Sequence, residues 1–198
     1  MANVLETVGN AQVATSPVKY GSGSMYFDGV SPYSYLKGNA NLSQSIAFGT
    51  GDFTIECWVY LTTAGSDSVI MDSRPGSNSA NYFLFYLWTS GGATLPTIAW
   101  YAPTSYVVST GTVSAGAWTH IAICRANGIL RSFKNGIVQQ AAADTTAYAN
   151  PGAPYPYIGA SYGVSSDSFK GYIDDLRVTK AARYIANFTP PQQALPRQ

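Results

Sequence analysis

The sequence predicts an all-β fold, with two antiparallel sheets packed as a sandwich or jelly roll. Three observations predict it. Tyrosine is abundant at 15 residues, while glutamate occurs only as Glu6 and Glu56. Strands favour Tyr, Val, Ile and Thr; helices favour Glu, Lys, Leu and Ala. Short apolar runs alternate with Gly, Pro, Asn and Ser clusters, and no long stretch keeps a period of 3.6. Two Asn-Gly dipeptides, Asn127-Gly128 and Asn135-Gly136, separate three apolar segments. Asn-Gly supplies the positive φ that a two-residue hairpin turn needs. With 198 residues the chain is long enough to bury a sizeable core as one large β-domain.

The elements follow in order. Residues 1–20 are mildly apolar and irregular, and read as an arm or an edge strand. Gly21-Ser22-Gly23 is a flexible joint, and Ser24 to Gly29 is a strand ending in an Asp-Gly turn. Tyr33, Tyr35 and Leu36 suggest another strand, and Asn39 to Phe48 holds at most a helical turn. The clearest strand is Phe53 to Leu61, fed by a tight turn at Gly49 to Asp52. Phe53, Ile55, Cys57 and Val59 share one face, and Thr54, Glu56, Trp58 and Tyr60 the other. Large groups on both faces predict a central strand covered on both sides.

Val69 to Met71 and the aromatic run Tyr82 to Trp88 are further strands, with a polar loop at Arg74 to Asn81 and a turn at Ser90-Gly91-Gly92. Thr97 to Tyr101 and Tyr106 to Ser109 flank Pro103. Trp118 to Arg125, Ile129 to Lys134 and Ile137 to Gln140 form a three-strand meander about the two Asn-Gly turns. A Pro/Ala/Tyr-rich loop runs from Ala141 to Pro156, then come strands at Tyr157 to Ala160 and Phe169 to Val178. In the last of these, Asp174 and Asp175 interrupt the period of two. Either a bulge resets the register, or one carboxylate turns inward and is held by hydrogen bonds. No internal repeat or composition break divides the chain.

Composition excludes several functions. Charged residues make up 11% and the formal net charge is +1, so neither charge-driven disorder nor a nucleic-acid footprint is expected. Lys170, Arg177, Lys180 and Arg183 gather near the end, but Asp167, Asp174 and Asp175 lie among them, giving a mixed-charge surface. No apolar run is long enough to span a membrane, and the first residues lack the features of a signal peptide. The sequons at Asn41 and Asn187 are then accidental. Cys57 and Cys124 read as two buried free thiols, with a disulfide as the alternative if their strands are neighbours.

Chemistry-bearing patterns are sparse. Gly159-Ala160-Ser161-Tyr162-Gly163 matches G-x-S-x-G, but lacks the strand-to-helix setting and is followed by no histidine. His120, the single histidine, cannot supply a zinc cluster. Glu56 is the one candidate acid for a glycan hydrolase, which needs two carboxylates. Asp174 and Asp175 are the adjacent acidic pair to weigh as calcium ligands, against a purely architectural role. Aromatic side chains on or near loops are the candidate sugar platform, against oligomer contact or packing: Trp88, Trp100, Tyr101, Tyr106, Tyr155, Tyr157 and Tyr162, with Tyr148 beside them. Trp58 and Trp118 are assigned to the core.

Several motifs in this order carry a resemblance. They are Y-F-D-G (Tyr26 to Gly29), F-G-T-G-D-F-T-I-E-C-W-V-Y (Phe48 to Tyr60), W-T-H-I-A-I-C-R (Trp118 to Arg125) and G-Y-I-D-D-L-R-V (Gly171 to Val178). Together they resemble the laminin-G-like branch of the concanavalin A-like lectin/glucanase superfamily. The tail A-R-Y…F-T-P-P, Ala182 to Pro191, resembles the form of that domain found in bacteriophage virion proteins. The resemblance implies a sandwich over 21–191, with residues 1–20 and 192–198 as flanking segments. It implies a non-enzymatic virion component, a capsid decoration or a tail- or fibre-associated subunit, made in the host bacterial cytoplasm. The implied partners are other virion proteins or copies of itself and a cell-surface polysaccharide, with no nucleic acid, no membrane and no cofactor. A stand-alone lectin, calcium-assisted, is the alternative reading, and a hydrolase the remote one.

Overall fold

A computed structural model describes residues 3–30, 33–76, 80–89, 93–103, 105–163 and 167–195. The turn expected at Ser90-Gly91-Gly92 lies outside them. The described strands are β1 (Leu5–Val8), β2 (Gln12–Ala14), β3 (Ser24–Asp28), β4 (Tyr35–Gly38), β5 (Phe53–Leu61), β6 (Ser68–Asp72), β7 (Leu84–Trp88) and β8 (Thr97–Ala102). They continue with β9 (Ser105–Thr112), β10 (Trp118–Ala126), β11 (Ile129–Lys134), β12 (Ile137–Ala143), β13 (Tyr157–Ile158) and β14 (Lys170–Thr179). One short helix, α1 (Ala40–Ser45), fills the expected helical turn, and its N-cap Asn39 accepts the Leu42 N–H at 3.0 Å.

Two seven-stranded antiparallel sheets form the sandwich. The first runs β1-β4-β13-β6-β7-β8-β9 and the second β12-β11-β10-β5-β14-β3-β2. The expected arm is therefore two edge strands, β1 closing one sheet and β2 the other. Between the sheets lie Phe27, Phe53, Ile55, Cys57, Val59, Phe83, Phe85, Leu87, Ile98, Trp100, Ile121, Ile123 and Phe169, all fully buried or nearly so. Each such apolar side chain contributes about 1.5–3 kcal/mol by leaving water. Trp100 is fully buried there, stacked on Phe83 at 4.4 Å with its Nε1–H donating to Tyr148 Oη at 3.0 Å. It cannot serve as a surface platform. Its strand alternates, and the odd register sends Ala99 and Tyr101 outward but Trp100 inward. Tyr148, 2% exposed, is core as well.

The second face of β5 is not solvent but a third layer. The segment after β14 crosses the outside of the second sheet and covers Ala122, Cys124 and Phe133 with Ala182, Tyr184 and Phe188. Thr54 Oγ1 donates to Ala181 O at 2.9 Å and accepts the Arg183 N–H at 3.0 Å. Phe188 N–H donates to Gly136 O at 2.8 Å. Gly136, at φ +77°, has the Phe188 carbonyl where a Cβ would stand. The A-R-Y…F-T-P-P motif is thus an integral lid on the sheet. Cys57 faces the core and Cys124 faces the lid, so the two thiols are free and on opposite sides of neighbouring strands.

Trp58 is buried, 7% exposed, but on this outer face: Tyr20 meets its ring edge-on at 6.0 Å and Lys19 Nζ lies 3.9 Å from its centroid. Trp118 is part-exposed, not core. It begins a row of rings in register across four strands, Trp118–Tyr60–Tyr172–Tyr26, with centroids 5.6, 5.9 and 5.1 Å apart.

Candidate functional site

The outer face of the first sheet gathers aromatic side chains. Period two on β7 turns Leu84, Tyr86 and Trp88 outward, with Tyr101 of β8 and Tyr106 of β9 paired beside them. Trp88 and Tyr101 each meet the Tyr106 ring at 6.2 Å, in edge-to-face geometry. The hydroxyls of Tyr86 and Tyr106 are 3.3 Å apart. Tyr101 and Tyr106 are 40% and 49% exposed, so their rings are presented to solvent. Beside them, Tyr162, from the loop after β13, lines a cavity of about 350 Å³ with Leu84, Tyr86 and Trp88.

A charged core organises these loops. Asp72, fully buried at the end of β6, accepts Arg74 Nε and Nη2 at 2.9 and 2.8 Å in a fork-to-fork pair. It also accepts the main-chain N–H groups of Arg74 and Tyr162, both at 2.9 Å. One carboxylate therefore positions both loops that frame the cavity. Arg74 lies 5.2 Å from the Tyr162 centroid and 5.9 Å from that of Tyr101. Burial works against its charge, but the hydrogen bonds and charge of Asp72 raise its pKa above the ordinary value. Asp67 and Asp167 also line the cavity. Asp67 accepts the Thr89 N–H at 2.7 Å, and its pKa is raised, first by burial and also by the charge of Asp167.

Of the expected platform, the structure brings together Trp88, Tyr101, Tyr106 and Tyr162. Tyr155 and Tyr157 form a separate cluster with Tyr35, at 4.8 and 4.9 Å, beside β4 and β13. Trp100 belongs to neither. Sequence reasoning missed Tyr86, Arg74, Asp67 and Asp167. Strand alternation from Trp88 was a signal for Tyr86; the loop residues meet only through tertiary contact.

The paired aspartates realise both readings of their strand. The pairing slips by one residue between Asp174 and Arg177, and Asp175 takes φ +49° in the bulge. Asp174, 8% exposed, accepts the N–H groups of Lys19, Tyr20 and Asp175 at 2.9, 3.1 and 2.8 Å. Asp175 accepts that of Leu195 at 3.0 Å. The two carboxylates tie down two distant chain segments. Among the described residues, no three His, Cys, Asp or Glu side chains group to hold a metal ion.

Glu56 is fully buried on the outer face of β5, under the lid. Arg177 donates from Nε and Nη2 to Oε1 at 2.9 and 2.6 Å, and Tyr184 Oη donates to Oε2 at 2.8 Å. His120 Nε2 is 3.2 Å from Oε2, the contact of an Nε2–H donor, and Arg183 Nε is 3.4 Å from Oε1. Burial alone would raise its pKa, but hydrogen bonds from His120, Tyr184 and Arg177 and the Arg177 charge hold it below the ordinary value. It is closed to water and to any sugar. The basic residues Arg177, Lys180 and Arg183 line a nearby cavity of about 640 Å³. Lys180 Nζ donates to the carbonyls of Gln44 and Ala47 at 2.9 and 3.1 Å. In place of the nucleophile elbow, Ser161 is buried in a turn after β13.

Comparison with known proteins agrees with this architecture. A laminin-G family model, described as the concanavalin A-like lectin/glucanases superfamily, matches residues 28–184. No curated protein matches the chain. Among solved structures, domain 4 of AbnA, a GH43 extracellular arabinanase from Geobacillus stearothermophilus in complex with arabinotriose, is similar at TM-score 0.64 and 15% identity. The alignment covers 91% of this chain and 82% of that one. The binding domain of Paraclostridial Mosquitocidal Protein 1 gives 0.65 and 14%, covering 92% of this chain and 45% of that one. The Ruminococcus gnavus IT-sialidase CBM40 bound to alpha2,3 sialyllactose gives 0.54 and 14%, covering 70% and 80%. A putative carbohydrate binding protein from Bacteroides ovatus gives 0.55 and 17%, and the chain spans 39% of its length.

Proposed function

The chain belongs to the concanavalin A-like lectin/glucanases superfamily, and from that premise we propose that it is a non-enzymatic glycan-binding module whose contact surface is the pocket lined by Tyr86, Trp88 and Tyr162 together with the neighbouring rings of Tyr101 and Tyr106. The observation that carries the reading is a cavity of about 350 Å³ lined by Tyr86, Trp88 and Tyr162, with the exposed, mutually braced rings of Tyr101 and Tyr106 beside it. Aromatic faces take the apolar flank of a sugar ring, and tyrosine hydroxyls serve its polar edge. Carbohydrate ligands named with several structural neighbours support it. The burial of Glu56, the one candidate hydrolytic acid, speaks for binding over catalysis. The test is a glycan array read with the parent protein and with Trp88→Ala and Tyr106→Ala. Each variant should weaken the parent's hits roughly tenfold, as expected for loss of one stacking ring. A blank array, or hits indifferent to both substitutions, would overturn the reading.

The module is further proposed to be carried on a bacteriophage particle, adhering to host-surface glycan. The support for this part is the resemblance of the Ala182 to Pro191 segment to virion forms of the domain. Its absence from purified particles would remove this part and leave the glycan reading in place.

A further inference from the structure

One edge of the Arg74 guanidinium is unused. Resting on the glycan-binding reading, we propose that Arg74 is the specificity-determining residue of the pocket, and that it selects uncharged sugar units carrying two adjacent free hydroxyls. A guanidinium holds five N–H donors in a rigid fork. Asp72 takes Nε at 2.9 Å and one proton of Nη2 at 2.8 Å, which occupies one edge of that fork. The other edge, both protons of Nη1 and the second of Nη2, meets no protein acceptor among the described residues. Nη1 is not sealed from solvent, and Arg74 lines the cavity of about 350 Å³ beside Tyr86, Trp88 and Tyr162.

Fixation turns that edge into a recognition element. The Arg74 side chain is 12% exposed, and its guanidinium lies 5.2 and 5.9 Å from the centroids of Tyr162 and Tyr101. Its main-chain N–H is bonded to Asp72 as well, at 2.9 Å. A ligand therefore meets donors already held in place, with little side-chain freedom left to lose. The guanidinium charge is balanced by the carboxylate 2.8 Å away, so the second edge offers hydrogen bonds without a net positive charge. Oxygens on two neighbouring ring carbons suit a pair of parallel N–H groups, as a carboxylate does, but they bring no charge. They also have protons to give. Asp67, at the same cavity, accepts the Thr89 N–H with Oδ1, and its Oδ2 has no protein donor among the described residues. Hydroxyls both accept and donate, the pattern that Arg74 and Asp67 together call for, whereas a carboxylate only accepts.

The experiment titrates the full chain calorimetrically with three hexasaccharides. Cellohexaose keeps two adjacent ring hydroxyls on every internal unit. Laminarihexaose is built from the same glucose, but its linkage consumes the hydroxyl between the others, so its internal units carry no adjacent pair. Hexagalacturonate keeps the pair and adds a carboxylate to each unit. Cellohexaose should bind about tenfold more tightly than laminarihexaose, the scale of a hydrogen bond to a charged group. Hexagalacturonate should bind no more tightly than cellohexaose, even at low salt. Arg74→Lys keeps a cation beside Asp72 but has no second edge, and in it the two glucans should approach equal affinity. A shift of the loops alone would weaken both glucans alike, so the ratio is the readout. Equal affinity of the parent for the two glucans, tighter binding of the uronate, a preference that survives Arg74→Lys, or no binding of any of the three would overturn the proposal. Array hits that still depend on Trp88 would in those cases leave the glycan reading standing, and a blank array would remove both.

Discussion

At the residue scale, Glu56 departs from what its type suggests and Trp100 from what its place near a loop suggests. A carboxylate sits fully buried, and the tryptophan expected at a surface fills the core. Glu56 is held because Arg177, Tyr184 and His120 converge on it from both neighbouring strands and from the lid. Glu56→Gln should cost about 2–3 kcal/mol in urea unfolding, since it leaves a part-buried Arg177 against a neutral partner. The pH dependence follows from the direction of the shift. The folded-state pKa lies below the unfolded one, so the stabilisation is complete above the usual glutamate range and is lost as pH falls through the folded pKa. Unfolding midpoints measured from neutral to acidic pH should drop for the parent protein and drop less for Glu56→Gln. Trp100→Ala should cost about 3–5 kcal/mol, because the ring stack with Phe83 and Phe53 leaves a cavity that cannot collapse.

At the element scale, the lid after β14 is held by hydrogen bonds to Thr54, Glu56 and Gly136 and by ring packing on Phe133, and its close approach to the sheet depends on one glycine. Gly136→Ala places a methyl group on the Phe188 carbonyl and forces a side chain into φ +77°. The lid should detach while the sandwich persists. Thiol chemistry reads this directly: Cys124 lies beneath the lid and Cys57 between the sheets. In the parent protein both thiols should resist a thiol reagent. In Gly136→Ala one thiol per chain should react quickly, and mass spectrometry should find the label on Cys124. Labelling of Cys57 at the same rate would mean that the whole sandwich had opened. Limited proteolysis should cut the variant near residues 180–190 before any other site.

At the scale of the whole molecule, the pairing is strongly non-local. β14 lies between β5 and β3, so residues more than a hundred positions apart must meet before the second sheet closes. Topologies of this kind fold in milliseconds to seconds, and stopped-flow tryptophan fluorescence should find refolding in that range. Much of this architecture was legible in sequence. Asn127-Gly128 and Asn135-Gly136 announced the β10–β11–β12 meander, and the two apolar faces of β5 announced a strand covered twice. The cover itself was not legible, because the lid is irregular and has no periodic signal. The candidate site was half legible. Trp88, Tyr101, Tyr106 and Tyr162 advertise themselves as aromatic residues near loops. Arg74, Asp67 and Asp167 look like ordinary loop charges until the fold brings them to one cavity.

The convergence on Glu56 also bears on how the protein is made. The ribosome delivers the carboxylate in β5, but its partners arrive at positions 120, 177, 183 and 184. Until Arg177 is made, the nascent chain carries an anion in its central strand with no guanidinium to meet it. The sheet cannot close over that strand at low cost until Tyr184 has left the exit tunnel. A polypeptide interrupted earlier keeps the centre of its second sheet open to chaperones and proteases. Synthesis as far as Tyr184 is thus a condition for burying that carboxylate.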